Sequence, residues 1–168
     1  MTGPVPGALV ARALVARMTG AGQTLAVAES LTGGMVCARI VDVPGASAVL
    51  RGGVVAYATD LKARLLGVDL SALARTGPVD PDVAVAMAVG VRDRLGATWG
   101  LATTGVAGPD PQDGQPPGTV YLAVAGPAGT RVRRLRLTGD RPAVRAQAVA
   151  AALDLLVEAV EHADPLMS

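Results

Sequence analysis

Lys62 stands out by type, because the other fourteen basic residues of the chain are all arginine. An arginine stays protonated in proteins, whereas a desolvated lysine can give up its proton and act as a base. Ser30 offers a hydroxyl group, and Tyr57 lies five residues before Lys62. A neutral lysine amine or a tyrosine phenolate beside Ser30 could take the hydroxyl proton and leave a nucleophilic oxygen. Spacing alone does not show whether the three side chains meet.

The surroundings of Ser30 suit such chemistry and also allow a purely structural explanation. Ser30 lies between a predicted buried strand and a predicted helix, whose first N–H groups could bind a phosphate or an oxyanion. Alternatively, Ser30 or Thr32 caps that helix and the glycines that follow allow a tight turn. Lys62 could likewise be a solvated helix charge, and Tyr57 an amphipathic residue at a strand end. The segment matches neither the Gly-x-Ser-x-Gly elbow nor the Gly-x-x-x-x-Gly-Lys-Ser/Thr phosphate loop.

Other stretches could contribute to a binding site. Residues 104–110 follow a predicted buried strand and are small enough to let the backbone approach a ligand. Arg141 and Arg145 lie one turn apart at the start of the last predicted helix, where they could hold a phosphate or form a solvated face. Glu29 adjoins Ser30 and could orient a base or order the turn. The four arginines of 131–136 are explained better by protection of an edge strand than by nucleic-acid binding.

The composition excludes several mechanisms. The chain has one histidine, His162, and one cysteine, Cys37, which makes a Ser-His-Asp triad, a histidine-rich zinc site and a disulfide framework unexpected. Any nucleophilic catalysis must therefore use a base other than histidine. A net charge of +1 gives no overall attraction to nucleic acid or to an anionic membrane. No apolar stretch reaches the ~18 residues of a membrane span, and we predict a cytoplasmic protein.

The periodicity of apolar residues predicts alternating helices and strands in one domain, 1–168, with loose ends at 1–7 and 163–168. Predicted strands are 24–28, 53–57, 99–103, 119–125 and 131–137. Predicted helices run from about Leu9 to Met18, from after Gly34 to near Asp42, around Lys62, over 70–75, from an Asp80 cap to Gly96, and onward from an Asp140 cap. The absence of Phe, with one Trp and two Tyr, indicates a core of closely packed small aliphatic side chains.

These elements predict a layered α/β/α sandwich with a mixed, mostly parallel sheet of about five strands, since the last two strands form a hairpin. Ser30 and Thr104 each follow a buried strand. Because such turns gather at one edge of a parallel sheet, we expect them to share a cleft. The irregular segment 104–118, with four glycines and four prolines, is long enough to be functional or mobile.

Several of these turns together resemble the CinA C-terminal-domain family, the nicotinamide mononucleotide amidohydrolases. The motifs are 28–34 (Ala-Glu-Ser-Leu-Thr-Gly-Gly), 57–62 (Tyr-Ala-Thr-Asp-Leu-Lys), 66–68 (Leu-Gly-Val), 104–109 (Thr-Gly-Val-Ala-Gly-Pro), 118–120 (Gly-Thr-Val) and 139–141 (Gly-Asp-Arg) with Arg145. The resemblance covers about 8–160, in the order of the family. Departures are Leu31, where a cysteine or small residue is frequent, the segment 58–60, and the loop segment 115–118.

The resemblance implies hydrolysis of nicotinamide mononucleotide to nicotinic acid mononucleotide and ammonia, without metal or cofactor. It implies that Ser30 is the nucleophile, Lys62 its activator and Tyr57 a hydrogen-bonding partner. It also implies a set of substrate-binding residues, with Arg145 on the phosphate: Thr32, Gly33, Gly34, Thr104, Gly105 and Arg145. The chain is similar to the stand-alone form of the family.

Two other functions stay open. The cleft could bind a nucleotide or recruit a partner with little turnover, as the association of the family with competence and DNA damage allows. The same side chains could also serve an amidase for another small carboxamide. The expected partner is a small nucleotide substrate rather than nucleic acid or membrane. A homodimer or larger symmetric oligomer is expected from the valine-rich strands and from the habit of the family.

Overall fold

In the computed structural model, which describes residues 7–163, five strands form one mixed sheet in the order β2-β1-β3-β4-β5. The strands are β1 (Leu25–Glu29), β2 (Leu50–Val55), β3 (Trp99–Gly105), β4 (Thr119–Gly126) and β5 (Gly129–Arg136). The helices are α1 (Ala8–Gly20), α2 (Met35–Val41), α3 (Thr59–Leu66), α4 (Leu70–Thr76), α5 (Pro81–Leu95) and α6 (Arg141–His162), and a 3-10 turn spans Ala46–Ala48.

The sheet is parallel on one side and antiparallel on the other. β1 pairs in parallel with β2 and β3, whereas β4 runs antiparallel to both β3 and β5. β4 is therefore the one strand of this sheet that runs in the opposite direction to the others, and a tight hairpin joins it to β5. The predicted α/β fold with a mixed, mostly parallel five-stranded sheet is confirmed.

The two faces of the sheet carry side chains of different size, because successive side chains of a strand point to opposite faces. On the large-residue face, aliphatic and aromatic side chains pack against α1, α2 and α6; they include Leu25, Val27, Trp99, Leu101 and Leu122. On the small-residue face, alanines lie under α3, α4 and α5; they include Ala26, Ala28, Ala102, Ala123 and Ala125. The predicted core of small aliphatic side chains is found on both faces, since many valines and alanines also belong to the core of the large-residue face.

Glycines bring α3 and α5 close to the small-residue face. A Cβ atom at Gly100 in β3 would collide with the carbonyl oxygen of Ala88 in α5. A Cβ atom at Gly90 in α5 would collide with the carbonyl oxygen of Leu66 at the end of α3. These backbone contacts hold α3, the helix that carries Lys62, against the rest of the domain.

Some predicted boundaries shift. β2 begins at Leu50 and ends at Val55, so Tyr57 lies after the strand rather than in it. β3 continues to Gly105, because Thr104 and Gly105 still pair with β4. The predicted loose ends lie outside the described residues except for Gly7 and Ala163.

The predicted caps are confirmed. Asp80 accepts hydrogen bonds from the first N–H groups of α5, and Asp140 accepts one from the N–H of Ala143 in α6. Gly96 ends α5 in the left-handed conformation, at φ 60°. None of the helices within 7–163 is both long enough and apolar enough to cross a bilayer.

Candidate active site

Ser30 lies in a tight turn at the carboxyl end of β1. Its N–H donates to the carbonyl of Thr103 in β3 over 3.1 Å, and its own carbonyl accepts from the N–H of Gly33 over 3.0 Å. Gly33 and Gly34 have φ values of 58° and 103°, in the region that favours glycine. The turn therefore fixes Ser30 at the edge of the sheet and needs both glycines to do so.

Lys62 extends from α3 to the Ser30 side chain. Its Nζ lies 3.1 Å from Ser30 Oγ and 2.7 Å from the carbonyl oxygen of Ala56, to which it donates a hydrogen bond. The residue is only 1% exposed, and burial lowers the pKa of the amine from 10.5 to about 8. A neutral amine that donates to Ala56 keeps a lone pair for the Ser30 hydroxyl proton. Lys62 is thus not a solvated helix charge, and we call Ser30 and Lys62 the floor pair.

Glu29 connects the end of β1 to the first turn of α2. Its buried carboxylate accepts the N–H groups of Val36 over 2.9 Å and Cys37 over 3.1 Å, while the N–H groups of Met35 and Ala38 bond to carbonyls of the turn. All four N–H groups at the start of α2 are therefore occupied. The expectation that the helix start offers them to a phosphate or an oxyanion is wrong, because Glu29 fills that position.

Free backbone donors lie instead within the turn itself. Within residues 7–163, the N–H groups of Leu31 and Thr32 have no hydrogen-bond partner. They belong to the two residues after Ser30, and Leu31 lines the adjoining cavity. Leu31 is therefore the residue that combines an unoccupied N–H with a place in the cavity lining, whereas Thr32 is fully buried.

The threonines of this region serve the scaffold. Thr32 Oγ1 lies 2.8 Å from Thr103 Oγ1 and ties the turn to β3, away from the cavity lining. Thr104 Oγ1 donates to the carbonyl of Pro78 over 2.7 Å, yet Thr104 also lines the cavity. Gly105 lines it too, and it must be glycine because a Cβ atom there would collide with the backbone of Thr119 in β4.

A cavity of about 370 Å³ opens above the floor pair at the carboxyl edge of the sheet. Its walls come from the Ser30 turn, from the end of β3 and the segment after it, from residues before α3 and α5, from α3 itself and from the first residue of α6. The lining residues are Ser30, Leu31, Tyr57, Lys62, Pro78, Val79, Thr104, Gly105, Val106, Ala107, Gly108, Pro109, Asp110, Pro111, Gln112 and Arg141. The two turns predicted to share a cleft therefore meet, and residues 104–112 of the irregular segment form one wall.

Tyr57 and Arg141 form a second polar pair at the mouth of the cavity, which we call the rim pair. The Tyr57 side chain is 59% exposed, and its hydroxyl accepts from Arg141 Nη2 over 2.8 Å. Arg141 Nη1 donates to the carbonyl of Gly108 over 2.8 Å, so the arginine spans the mouth. The expected bond from Tyr57 to the floor pair is not formed, because the hydroxyl points to the rim.

Arg145 lies one helical turn further along α6 and does not enter the cavity. Its Nε donates to the carbonyl of Leu31 over 2.8 Å, and its Nη2 donates to the carbonyl of Thr32 over 3.2 Å. The arginine that faces the cavity is Arg141, not Arg145 as expected.

The remaining candidate nucleophile and base play no part in this site. Burial, together with the neighbouring Glu29 carboxylate, raises the pKa of the Cys37 thiol to about 12, so the reactive thiolate is disfavoured. His162 is the last residue of α6, at the opposite end of the helix from Arg141. Ser30 and Lys62 are thus the hydroxyl and the amine that the described residues bring within 3.1 Å of each other.

Comparison with known sequences gives consistent relatives. A family model described as the CinA C-terminal domain matches residues 8–160. A CinA-like protein of Frankia casuarinae is 61% identical over 133 residues, which are 79% of this chain and 31% of that protein. A putative competence-damage inducible protein of Desulforamulus reducens is 52% identical over 135 residues, 80% of this chain and 33% of that protein. The chain thus spans about a third of the length of these curated relatives.

Solved structures show the same fold. The competence/damage inducible protein CihA from Agrobacterium tumefaciens has a TM-score of 0.90 at 32% identity, over 96% of this chain and 99% of that chain. A CinA superfamily protein from Escherichia coli has a TM-score of 0.86 at 30% identity, over 89% and 88%. The family expected from the motifs is confirmed by these matches, and the chain belongs to the CinA C-terminal domain family.

Proposed function

We propose that this protein hydrolyses the carboxamide of nicotinamide mononucleotide, with Ser30 as the nucleophile and Lys62 as its base. The observation that carries the proposal is the 3.1 Å contact between Lys62 Nζ and Ser30 Oγ inside a buried site. The desolvated amine, with its pKa near 8, is partly neutral at neutral pH and can accept a proton. Family membership and the shape of the cleft support the same reaction.

The first half of the reaction acylates Ser30. Lys62 Nζ takes the Ser30 hydroxyl proton while Oγ forms a bond to the carboxamide carbon, and the carbonyl becomes an oxyanion. When that tetrahedral intermediate collapses, the C–N bond breaks and the leaving nitrogen takes the proton from Nζ. Ammonia departs and an ester between Ser30 and the pyridine carboxyl remains.

In the second half of the reaction, water is the nucleophile and Ser30 Oγ is the leaving group. A water molecule gives a proton to Lys62 Nζ and attacks the ester carbon, and the second tetrahedral intermediate expels Ser30 Oγ, which takes the proton back. Nicotinic acid mononucleotide leaves and the free hydroxyl is restored. One base serves both halves because its proton is returned in each.

Two groups of donors suit the rest of this substrate. The partnerless N–H of Leu31, directly after Ser30 and in the cavity lining, would be a donor for the oxyanion. Arg141 uses one N–H on Gly108 and one on Tyr57, which leaves further guanidinium donors at the mouth for the phosphate. The substrate would then lie with its amide at the floor and its phosphate at the rim.

The decisive experiment is ammonia release from nicotinamide mononucleotide by purified protein, with Ser30→Ala as the matched control. We expect release by the wild type and none by the variant. Nicotinamide riboside, which lacks the phosphate, should be a poor substrate. Nucleotide binding by calorimetry without ammonia release would favour a binding domain, and turnover of unphosphorylated carboxamides alone would favour another amidase.

A further inference from the structure

Asp110 supplies the one carboxylate among the described residues that line the cavity. It lies two positions after Gly108, whose carbonyl accepts a hydrogen bond from Arg141 over 2.8 Å. Two residues of chain span at most about 7 Å, so the backbone of Asp110 lies close to the mouth that Arg141 crosses. A carboxylate at this place does not help to bind a phosphate, and it therefore needs another explanation.

The usual structural role of an aspartate in a loop is not available to Asp110. Such a side chain normally accepts a hydrogen bond from the backbone N–H two residues further on. Here the N–H of Gln112 donates to the carbonyl of Gln115 over 3.0 Å, and the intervening Pro111 has no N–H to offer. Within residues 7–163, the Asp110 carboxylate has no hydrogen-bond or ion-pair partner. Its acceptor oxygens are left for a ligand in the cavity.

The backbone around Asp110 is fixed without any contact from its side chain. The ring of Pro109 restricts the chain before Asp110, and Pro111 confines Asp110 itself to extended conformations. Just beyond, Gln112 and Gln115 exchange two backbone hydrogen bonds, of 3.0 and 2.8 Å. This part of the wall is thus ordered before a ligand binds, and binding has to immobilise only the carboxylate itself.

The proposed substrate has one group of hydrogen-bond donors that no residue has yet been assigned to bind. Its carboxamide belongs at Ser30 and its phosphate at Arg141, while the pyridinium nitrogen carries the glycosidic bond and has no N–H. The donors that remain are the 2′- and 3′-hydroxyls of the ribose, on adjacent carbons, and the ribose is joined directly to the phosphate. A carboxylate has two acceptor oxygens, which suits two neighbouring hydroxyls. Acidic side chains bind ribose hydroxyls in the same way in dinucleotide sites.

We propose that Asp110 is a specificity-determining residue that accepts hydrogen bonds from the ribose 2′- and 3′-hydroxyls of the substrate. This role explains a carboxylate that the fold does not use, in a cavity whose other charged side chains are Lys62 and Arg141 within the described part of the chain. The inference rests on the proposed function, since the ribose belongs to that substrate. It makes the wall after β3 the part of the cavity that selects ribonucleotides.

The kinetic test combines one change in the protein, Asp110→Ala, with one change in the substrate, the 3′-deoxy analogue of nicotinamide mononucleotide. A hydrogen bond to a charged group is worth about tenfold to a hundredfold in affinity, and exposure of Asp110 favours the lower value. We expect the analogue to raise KM about tenfold for the wild type, with kcat within about twofold. Asp110→Ala should raise KM for the natural substrate at least as much, and it should treat both substrates alike. A variant that still discriminates tenfold would overturn the proposal.

Asp113→Asn provides a control for the loss of a negative charge from the same segment. Asp113 lies three positions further along the chain, outside the cavity lining, and asparagine tolerates its positive φ of 49°. We expect this variant to match the wild type with both substrates. If it raises KM as much as Asp110→Ala does, the effect comes from the overall charge of the segment and not from a contact, and the proposal fails.

A second readout does not depend on turnover. Calorimetry with Ser30→Ala measures the affinity for nicotinamide mononucleotide and for its 3′-deoxy analogue, with and without Asp110→Ala. If the wild type releases no ammonia yet this affinity depends on both Asp110 and the 3′-hydroxyl, hydrolysis is wrong and the ribose site stands. If the wild type is active and the 3′-hydroxyl changes neither KM nor Kd, only the ribose site is lost. A protein that neither releases ammonia nor binds the nucleotide overturns both proposals.

Discussion

The floor and the rim of the cavity both contain a cationic side chain bonded to a hydroxyl, and they differ in almost everything else. The floor pair is buried, and Lys62 loses hydration there without gaining a carboxylate partner. The rim pair is open to water, with Tyr57 59% exposed. Burial changes the acid–base chemistry of a group, whereas exposure leaves it a charge that is screened by solvent. The same residue classes are therefore suited to proton transfer at the floor and to binding at the rim.

The largest effect is expected when Lys62, the proposed base, is replaced by a residue that keeps its positive charge. Lys62→Arg retains a cation that cannot give up a proton, and we expect kcat to fall by about 10³-fold or more. Ammonia release measures the loss, and a circular dichroism spectrum like that of the wild type shows that the fold is kept. Activity near the wild-type level would contradict the assignment of Lys62 as the base.

Removal of the rim charge should affect binding and leave the chemistry intact. Arg141→Gln removes charge-assisted hydrogen bonds of about 1.5–3 kcal/mol, so KM for nicotinamide mononucleotide should rise about tenfold to a hundredfold. We expect kcat to change by less than about threefold. Steady-state kinetics with and without the substrate phosphate check this, since the preference for the phosphorylated substrate should disappear. A fall in kcat at constant KM would instead show that Arg141 acts in the chemical step, as the floor pair does.

The pH dependence should come from the floor alone. Because burial lowers the pKa of Lys62 to about 8, the neutral base is scarce below that pH and predominates above it. We expect kcat/KM to rise about tenfold between pH 7 and pH 9 and then to level off. The profile of Arg141→Gln should rise at the same pH. A flat profile over this range would contradict a titrating base.

The smallest effect should come from the rim hydroxyl. Tyr57→Phe removes one hydrogen bond to Arg141 at an exposed position, which is worth about 0.5–1.5 kcal/mol. We expect KM to rise by about two- to tenfold and kcat to stay unchanged. A large fall in kcat would show that Tyr57 acts in the chemical step together with Ser30 and Lys62, as the family resemblance implies.

The two residues of the floor could be singled out from the sequence because their signals are local or compositional, and their pairing was implied by the family resemblance. Ser30 follows a buried strand and precedes a helix, and Lys62 is conspicuous as the one lysine of the chain. The alternation of strands and helices, with Asp80 and Asp140 as caps, was enough to predict the layered fold and a cleft at the edge of the sheet.

The rim and the supports of the turn were not accessible, because they depend on contacts between distant segments. The bond between Arg141 and Tyr57 joins residues 84 positions apart, and that between Arg145 and Leu31 joins residues 114 positions apart. Residues one helical turn apart share a face, so spacing could not decide which arginine reaches the cavity. The role of Glu29 was left open for the same reason, since its partners belong to the next helix.

The single lysine also makes the protein a natural target for covalent labelling. An aldehyde that enters the cavity would form an imine with a neutral side-chain amine, and Lys62 is the one side chain of the sequence that offers it. Reduction of that imine would trap a modification on the peptide that contains Lys62, where mass spectrometry separates it from any modification of the N-terminal amine. Competition by nicotinamide mononucleotide would then report occupancy of the cavity in a crude extract, without any change to the sequence.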